Sequence, residues 1–320
     1  MINIPYPDEA VLEDFYDEHK EKILNRIKDI KLKKSVSIKK KKYRISPYIK
    51  KVLTFLEDEN ILKELLLSKP DHIVKIIEYF EKHYKKARYK KEYLNKILYR
   101  IFVDYGYDQI DNLNFINKIG IKTCPYCNRN YTFTVNKAGS IKPEIDHFYP
   151  KSLYPYLACS YFNLIPSCPT CNGFGAKEAK DTFYVYPASN PYTIKPIDFQ
   201  FSIAPQNINF INVEREQYNF DDFEIELYGN EASLDIFKLE SLYKQHKDIV
   251  LELLVKKAYY PQCYIDELYD FGFSKDEIYR YLFSNYSQDD ELHKRPLSKL
   301  IKDIVYELNF EIEGNIIENQ

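Results

Sequence analysis

The feature that most restricts what this chain can fold into is a pair of cysteine knuckles, Cys124-Pro-Tyr-Cys127 and Cys168-Pro-Thr-Cys171, set 40 residues apart. Two residues between thiols let one tight turn aim both sulfurs at a single point, and four such sulfurs fill a tetrahedral zinc shell with no open position. The pattern predicts a structural Zn²⁺ held by Cys124, Cys127, Cys168 and Cys171. A redox pair needs one activated thiol rather than two matched knuckles. The spacing exceeds that of a simple zinc ribbon, so the ion closes a loop that holds something. Cys159 and Cys263 stand alone and read as small buried apolar residues.

Inside that loop sit Asp146-His147 and Asn163, and Asn172 follows the last thiol directly. A neutral imidazole can take a proton from water near physiological pH. A neighbouring carboxylate can hold a hard divalent ion that neutralises charge on a phosphate. Adjacent residues on a strand point to opposite faces, so Asp146 and His147 share a site only at a strand end. Phe148-Tyr149-Pro150 supplies such an end. The knuckle fixes the backbone of Asn172, whose amide oxygen can complete the metal's ligands opposite Asp146. Asn163 can bond backbone groups and hold the histidine loop in shape. Glu144 lies two residues before Asp146, on the same face, and reads as an outer or surface group. A lone Asp-His pair is usually structural and a loop asparagine is usually a turn residue. Here all four fall within 27 positions, bracketed by the knuckles.

Taken together, the two knuckles, Glu144-Ile145-Asp146-His147-Phe148, Asn163-Leu164, Asn172 and Lys177 resemble the HNH endonuclease motif, the zinc-knuckle form of the ββα-metal fold. The resemblance implies that His147 is the general base that activates water. It makes Asp146 a ligand of a catalytic divalent metal and Asn163 a support of the loop. It puts Asn172 where the last histidine of the motif usually stands. Oxygen in place of imidazole there favours Mg²⁺ or Mn²⁺ over softer ions. Lys177 is the basic residue expected after the last knuckle, displaced by Gly173-Phe174-Gly175-Ala176. The motif covers residues 124–177 of 320. The wider layout, with "DHFYPKSLYPYL" between helical regions, is similar to bacterial phage-defence HNH nucleases of the Septu type, which act with an ATPase partner of the ABC/SMC kind. The expected function is therefore a metal-dependent endonuclease that hydrolyses phosphodiester bonds of DNA, or of RNA, as an antiviral defence effector. The competing expectation is a zinc-stabilised module that binds nucleic acid or protein without catalysis.

The rest of the chain predicts a mainly α fold with a small α+β insert, the zinc-stabilised ββα-metal core. Residues 1–122 form a helical, basic region, 123–185 the nuclease core, and 186–320 a mixed and then helical region. Apolar residues recur at helical spacing over residues 10–30, 46–68 and 69–106. Within the core, 131–135 and 141–148 read as a hairpin with a turn at 136–139, 152–164 as helical turns, and 171–181 as the start of a helix. Residues 195–213 and 221–230 read as strands, and 233–260 as one long amphipathic helix.

Charge is unevenly distributed. Residues 1–122 carry 27 Lys and Arg against 19 Asp and Glu, and the remainder 19 against 29. The most basic run, residues 27–51, can neutralise phosphates or be a solvated surface. The opposed charges of the two halves also suit docking of a partner or self-association. No apolar run approaches the roughly 20 residues of a membrane span. The start lacks the basic-then-apolar order of a signal peptide. A cytoplasmic chain with no membrane partner is expected.

Overall fold

The computed structural model describes residues 1–38, 40–84, 88–135, 141–207, 210, 220–310 and 312, with backbone alone at 84 and 88–91. The fold is mainly helical, with two-stranded antiparallel sheets. The turn expected at 136–139 and the end of the strand expected at 195–213 fall outside the described residues, as does the extreme end of the chain. The chain gathers into two compact units. One comprises Pro5–Gly120 and Thr134–Thr193, the other Met1–Ile4, Ile121–Phe133 and Ile194–Gln320.

In the first unit, α1 (Glu9–Leu32) buries Phe15, His19, Ile23, Ile27 and Ile30, the stripe its sequence spacing requires. A basic hairpin follows, β1 (Ser35–Ile38) and β2 (Lys41–Arg44). Residues 46–68 form two helices rather than one continuous element, α2 (Pro47–Leu56) and α3 (Glu59–Leu67). The Ser46 hydroxyl accepts from Ile49 N to start the first. The Asp58 carboxylate accepts from Asn60 N and Ile61 N to start the second, which explains the break. Then come α4 (Pro70–Tyr84), α5 (Arg88–Phe102) and α6 (Asn112–Ile119).

The motif follows on β3 (Glu144–His147), β4 (Leu164–Ser167) and α7 (Pro169–Asn172). β3 pairs antiparallel with β4, from Glu144 opposite Ser167 to His147 opposite Leu164. Of the hairpin expected between 131–135 and 141–148, the described residues show only the pairing next to its turn. A single bridge joins Val135 to Ile141, and Tyr131 bridges to Thr123 instead. The alternation at 131–135 misled because Tyr131, Phe133 and Val135 are exposed, whereas Leu164 and Ile165 of β4 are wholly buried. Residues 152–164 make two 3-10 turns, Pro155–Leu157 and Tyr161–Asn163. Their Tyr156 stacks on Phe80 of α4, centroids 4.0 Å apart, and Tyr161 meets Phe15 of α1 edge-on. The helix expected over 171–181 is one turn only. After Gly173 the chain turns back, with Gly175 at φ 83, and Lys177 N donates to Cys171 O.

In the second unit, β5 (Gln200–Pro205) and β6 (Phe223–Tyr228) pair antiparallel. Helices α8 (Glu231–Ile236), α9 (Leu239–Tyr243), α10 (Lys247–Tyr259), α11 (Gln262–Asp270), α12 (Lys275–Phe283) and α13 (Ser298–Glu307) complete it. The single helix expected over 233–260 is thus broken. Lys238 sits in the left-handed region at φ 53, and a 3-10 turn at Lys244–His246 separates α9 from α10. The break lets neighbouring Phe237 and Leu239 both be buried. The outer edge of β5 is covered by α13, where Asp303 accepts from Phe201 N and Glu307 from Ile203 N. Cys159 is buried as expected, but Cys263 is exposed, because α11 turns its apolar stripe through Ile265 and Leu268 instead. Among the described residues no helix is long and apolar enough to cross a membrane.

Candidate functional site

The four knuckle cysteines are buried, and their sulfurs all lie within 4.8 Å of one another. A tetrahedron of sulfurs each about 2.3 Å from one ion has edges of about 3.8 Å, so the set fits Zn²⁺ in both geometry and donor type. Local structure prepares each knuckle. After the first, Asn128 N donates to Cys124 O, and Arg129 N points at Cys127 Sγ, 3.4 Å away. In the second, Pro169 opens a single helical turn, and Cys171 N and Asn172 N both donate to Cys168 O. Asn128 is wholly buried in the left-handed conformation. Its amide nitrogen donates to Thr123 Oγ1 and Leu292 O, and its amide oxygen accepts from Lys299 N. Sequence reading missed this residue, which looks like an ordinary loop asparagine.

β3 carries Asp146 and His147 to its end. Their side chains meet different neighbours, as alternation along a strand requires. The Lys177 ammonium lies 2.8 Å from Asp146 Oδ1 and 2.6 Å from His147 O, so one cation holds both residues. The ion pair is sealed: Lys177 is 0% exposed and Asp146 3%. The basic residue expected after the last knuckle therefore lies inside, on the carboxylate expected to bind metal. The turn closed by Lys177 N and Cys171 O brings it there.

His147 is 7% exposed, and its Nε2 lies 3.1 Å from Ala158 O. A carbonyl can only accept, so Nε2 carries the proton and Nδ1 presents the lone pair. Nδ1 makes no hydrogen bond among the described residues and is not sealed from solvent. Burial, reinforced by the charge of Lys151, pushes the imidazole pKa down to about 3, so the ring is neutral at physiological pH. It packs T-shaped against the Tyr107 ring, centroids 4.4 Å apart. The Lys151 ammonium lies 4.5 Å from the centroid of that same ring. Lys151 is half-buried and makes no ion pair among the described residues. Burial pulls its pKa down, against the pull of Asp108 and Asp104. Lys151 and Tyr107 were not singled out in the sequence. Lys151 carried a signal in its place just after Asp146-His147; Tyr107, 40 residues upstream, carried none.

Asn163 is wholly buried and shapes the loop around the histidine. Its oxygen accepts from Tyr149 N at 2.6 Å, and its nitrogen donates to Tyr149 O and Leu157 O. Beneath Ala158, the Cys159 thiol donates to Phe102 O at 2.9 Å. Gly106 makes room for it, since a Cβ there would stand 2.4 Å from Cys159 Sγ. The Asn172 amide nitrogen donates to Glu144 Oε2 at 2.8 Å, so its contact is with Glu144. Asp146, Asn172 and Glu144 offer hard oxygen donors, which suit Mg²⁺ or Mn²⁺ in kind.

A scan against protein-family models, a search of curated proteins and a search of solved structures each give no match.

Proposed function

We propose that the chain is a metal-dependent endonuclease of the HNH type that hydrolyses phosphodiester bonds of DNA, with RNA as the alternative substrate. The observation that carries this reading is the geometry of His147, oriented through Nε2 by Ala158 O with its Nδ1 lone pair unpartnered among the described residues. The burial that lowers its pKa weakens it as a base and works against the role. Nδ1 takes a proton from water as the water oxygen bonds to phosphorus. The ester P–O bond then breaks, and its oxygen leaves with a proton from solvent. A Mg²⁺ or Mn²⁺ ion on the oxygens of Asp146 and Asn172 would neutralise charge on the phosphate and leaving oxygen. Lys177 orients Asp146 and fixes the His147 backbone, Asn163 holds the loop, and a zinc on the four cysteines would anchor Asn172. A role in phage defence with an ABC/SMC-type ATPase belongs to the same proposal and rests on the motif resemblance alone.

The test is incubation of the purified chain with plasmid DNA and with total RNA, with and without Mg²⁺. His147→Ala is expected to lose about 10²–10⁴ in rate, the usual worth of a general base, while keeping zinc and fold. Cleavage by His147→Ala at the wild-type rate would sink the assignment. One observation favours a second reading. Asp146 is already neutralised by a buried ammonium, as in a non-catalytic module that binds nucleic acid or protein. That reading predicts binding that survives His147→Ala and Asn172→Ala, with no cleavage by any variant or by wild type.

A further inference from the structure

The basic hairpin β1–β2 is not used by the proposed chemistry. From Lys33 to Lys51 the chain carries nine Lys and Arg, and no Asp or Glu occurs between Asp29 and Glu57. The nearest acids on the flanking helices are already engaged: Asp29 pairs with Arg26 and Lys33, and Glu57 with Lys31. Lys34, Lys40, Lys41, Lys42, Arg44, Lys50 and Lys51 are exposed and make no ion pair among the described residues. On α1, Lys20, Arg26 and Lys31 are paired, whereas the exposed Lys22 and Lys28 make no ion pair among the described residues.

The register gives this charge a direction. Val36 stands opposite Tyr43, and both are buried, with Tyr43 edge-on to Tyr93 of α5 at 4.8 Å. The hairpin is therefore fixed by its inner face. Period-two alternation puts Ser35 and Ser37 on the other face, opposite Arg44 and Lys42. That outer face consists of hydroxyls, an ammonium and a guanidinium, all donors that phosphate oxygens accept. A rigid ribbon of unpaired cations repels itself, and in a chain of net charge −2 nothing in the composition forces it.

We propose that the outer face of the β1–β2 hairpin is a binding site for the phosphate backbone of duplex nucleic acid. A two-stranded ribbon is narrow enough for the major groove, and Lys42 and Arg44 with the tip lysine Lys40 would grip the strands flanking it. An anionic lipid surface offers the same charge, but the outer strand face presents no apolar side chain to anchor in a bilayer. The inference concerns binding and does not depend on the cleavage reading.

The test uses the full chain carrying His147→Ala, without Mg²⁺, so that cleavage plays no part. Its binding to a fluorescein-labelled DNA duplex of about two helical turns, and to the matching RNA duplex, is followed by anisotropy against salt. Each phosphate contact contributes about 0.9 to the slope of log K against log salt. Adding Lys42→Gln and Arg44→Gln should lower that slope by about two and weaken binding uniformly across sequences. Both residues are exposed, so the melting temperature and zinc content should stay unchanged, which separates a lost contact from a lost fold. Lys20→Gln, on α1, should leave the slope where it was. An unchanged slope in the double variant overturns the proposal. So does failure of the parent to bind either duplex, or binding to anionic vesicles that outcompetes both duplexes.

Discussion

The residues between Cys124 and Lys177 contain two polar clusters, and they differ in completeness. The four thiols converge on a single point, all buried, and a Zn²⁺ held there would leave no place for a reactant. The Asp146–His147 cluster is held as firmly, by Lys177, Asn163 and Ala158 O, yet leaves His147 Nδ1 without a hydrogen bond and the Lys151 ammonium without an acid among the described residues. Closed donor sets stabilise, whereas oriented groups left unsatisfied are available for chemistry. The contrast is sharpest if the first cluster can be removed. Structural zinc in small domains contributes an apparent ~10–16 kcal/mol of binding free energy that is also folding free energy. Cys171→Ser should therefore lose its zinc by mass spectrometry and melt far below wild type. One zinc per chain and an unshifted melting curve in that variant would show that the knuckles do not form a four-thiolate site.

The second cluster has its own structural component, and a smaller perturbation separates it from the chemistry. Lys177→Met removes the ammonium but keeps most of the stem, leaving the buried Asp146 carboxylate without that counter-charge. Breaking a buried pair in this way costs about 3–5 kcal/mol. Urea unfolding should show that loss, and Asp146→Asn in the same chain should restore much of it, since the charge is then gone. If Lys177→Met unfolds like wild type, Asp146 is not held by Lys177 in solution, and the comparison between a closed and an open cluster loses one of its terms.

The two clusters were not equally legible in the sequence. Knuckle spacing is a local property of the chain, so the four cysteines could be read directly. Asp146, His147, Asn163 and Asn172 were visible as residue types, but the direction of each side chain depends on tertiary partners. Asn172 was expected opposite Asp146 and bonds Glu144, because the one-turn helix α7 ends there. Lys177 was expected only as the basic residue after the last knuckle and is the most deeply buried charge of the site, carried inward by a turn at Gly173–Ala176 that helical propensity did not foreshadow. The β-hairpin at 131–148 shows a single bridge, Val135–Ile141, for a related reason. Alternation marks a face, but whether that face is buried depends on tertiary neighbours, and the wholly buried strand β4, led by Leu164 and Ile165, has more apolar surface to hide. The single helix expected over 233–260 failed at Lys238, whose left-handed conformation no composition rule marks.

The finest distinction lies within the open cluster, between orientation and charge. Lys151 places its ammonium over the Tyr107 ring that backs His147, and that ammonium has no acid in contact. A half-buried cation with its solvation thinned attracts an anion more strongly than a surface lysine does. If the cation serves the phosphate, Lys151→Met keeps the packing and loses the charge. Its turnover should fall on the order of 10²-fold, the lower end for removing one preorganised electrostatic group. The Michaelis constant and melting temperature should hardly change, and Lys151→Arg should recover part of the rate. A Lys151→Met enzyme with wild-type turnover would make Lys151 a packing residue for Tyr107. His147 Nδ1 would then remain as the one open group on which the distinction between the two clusters rests.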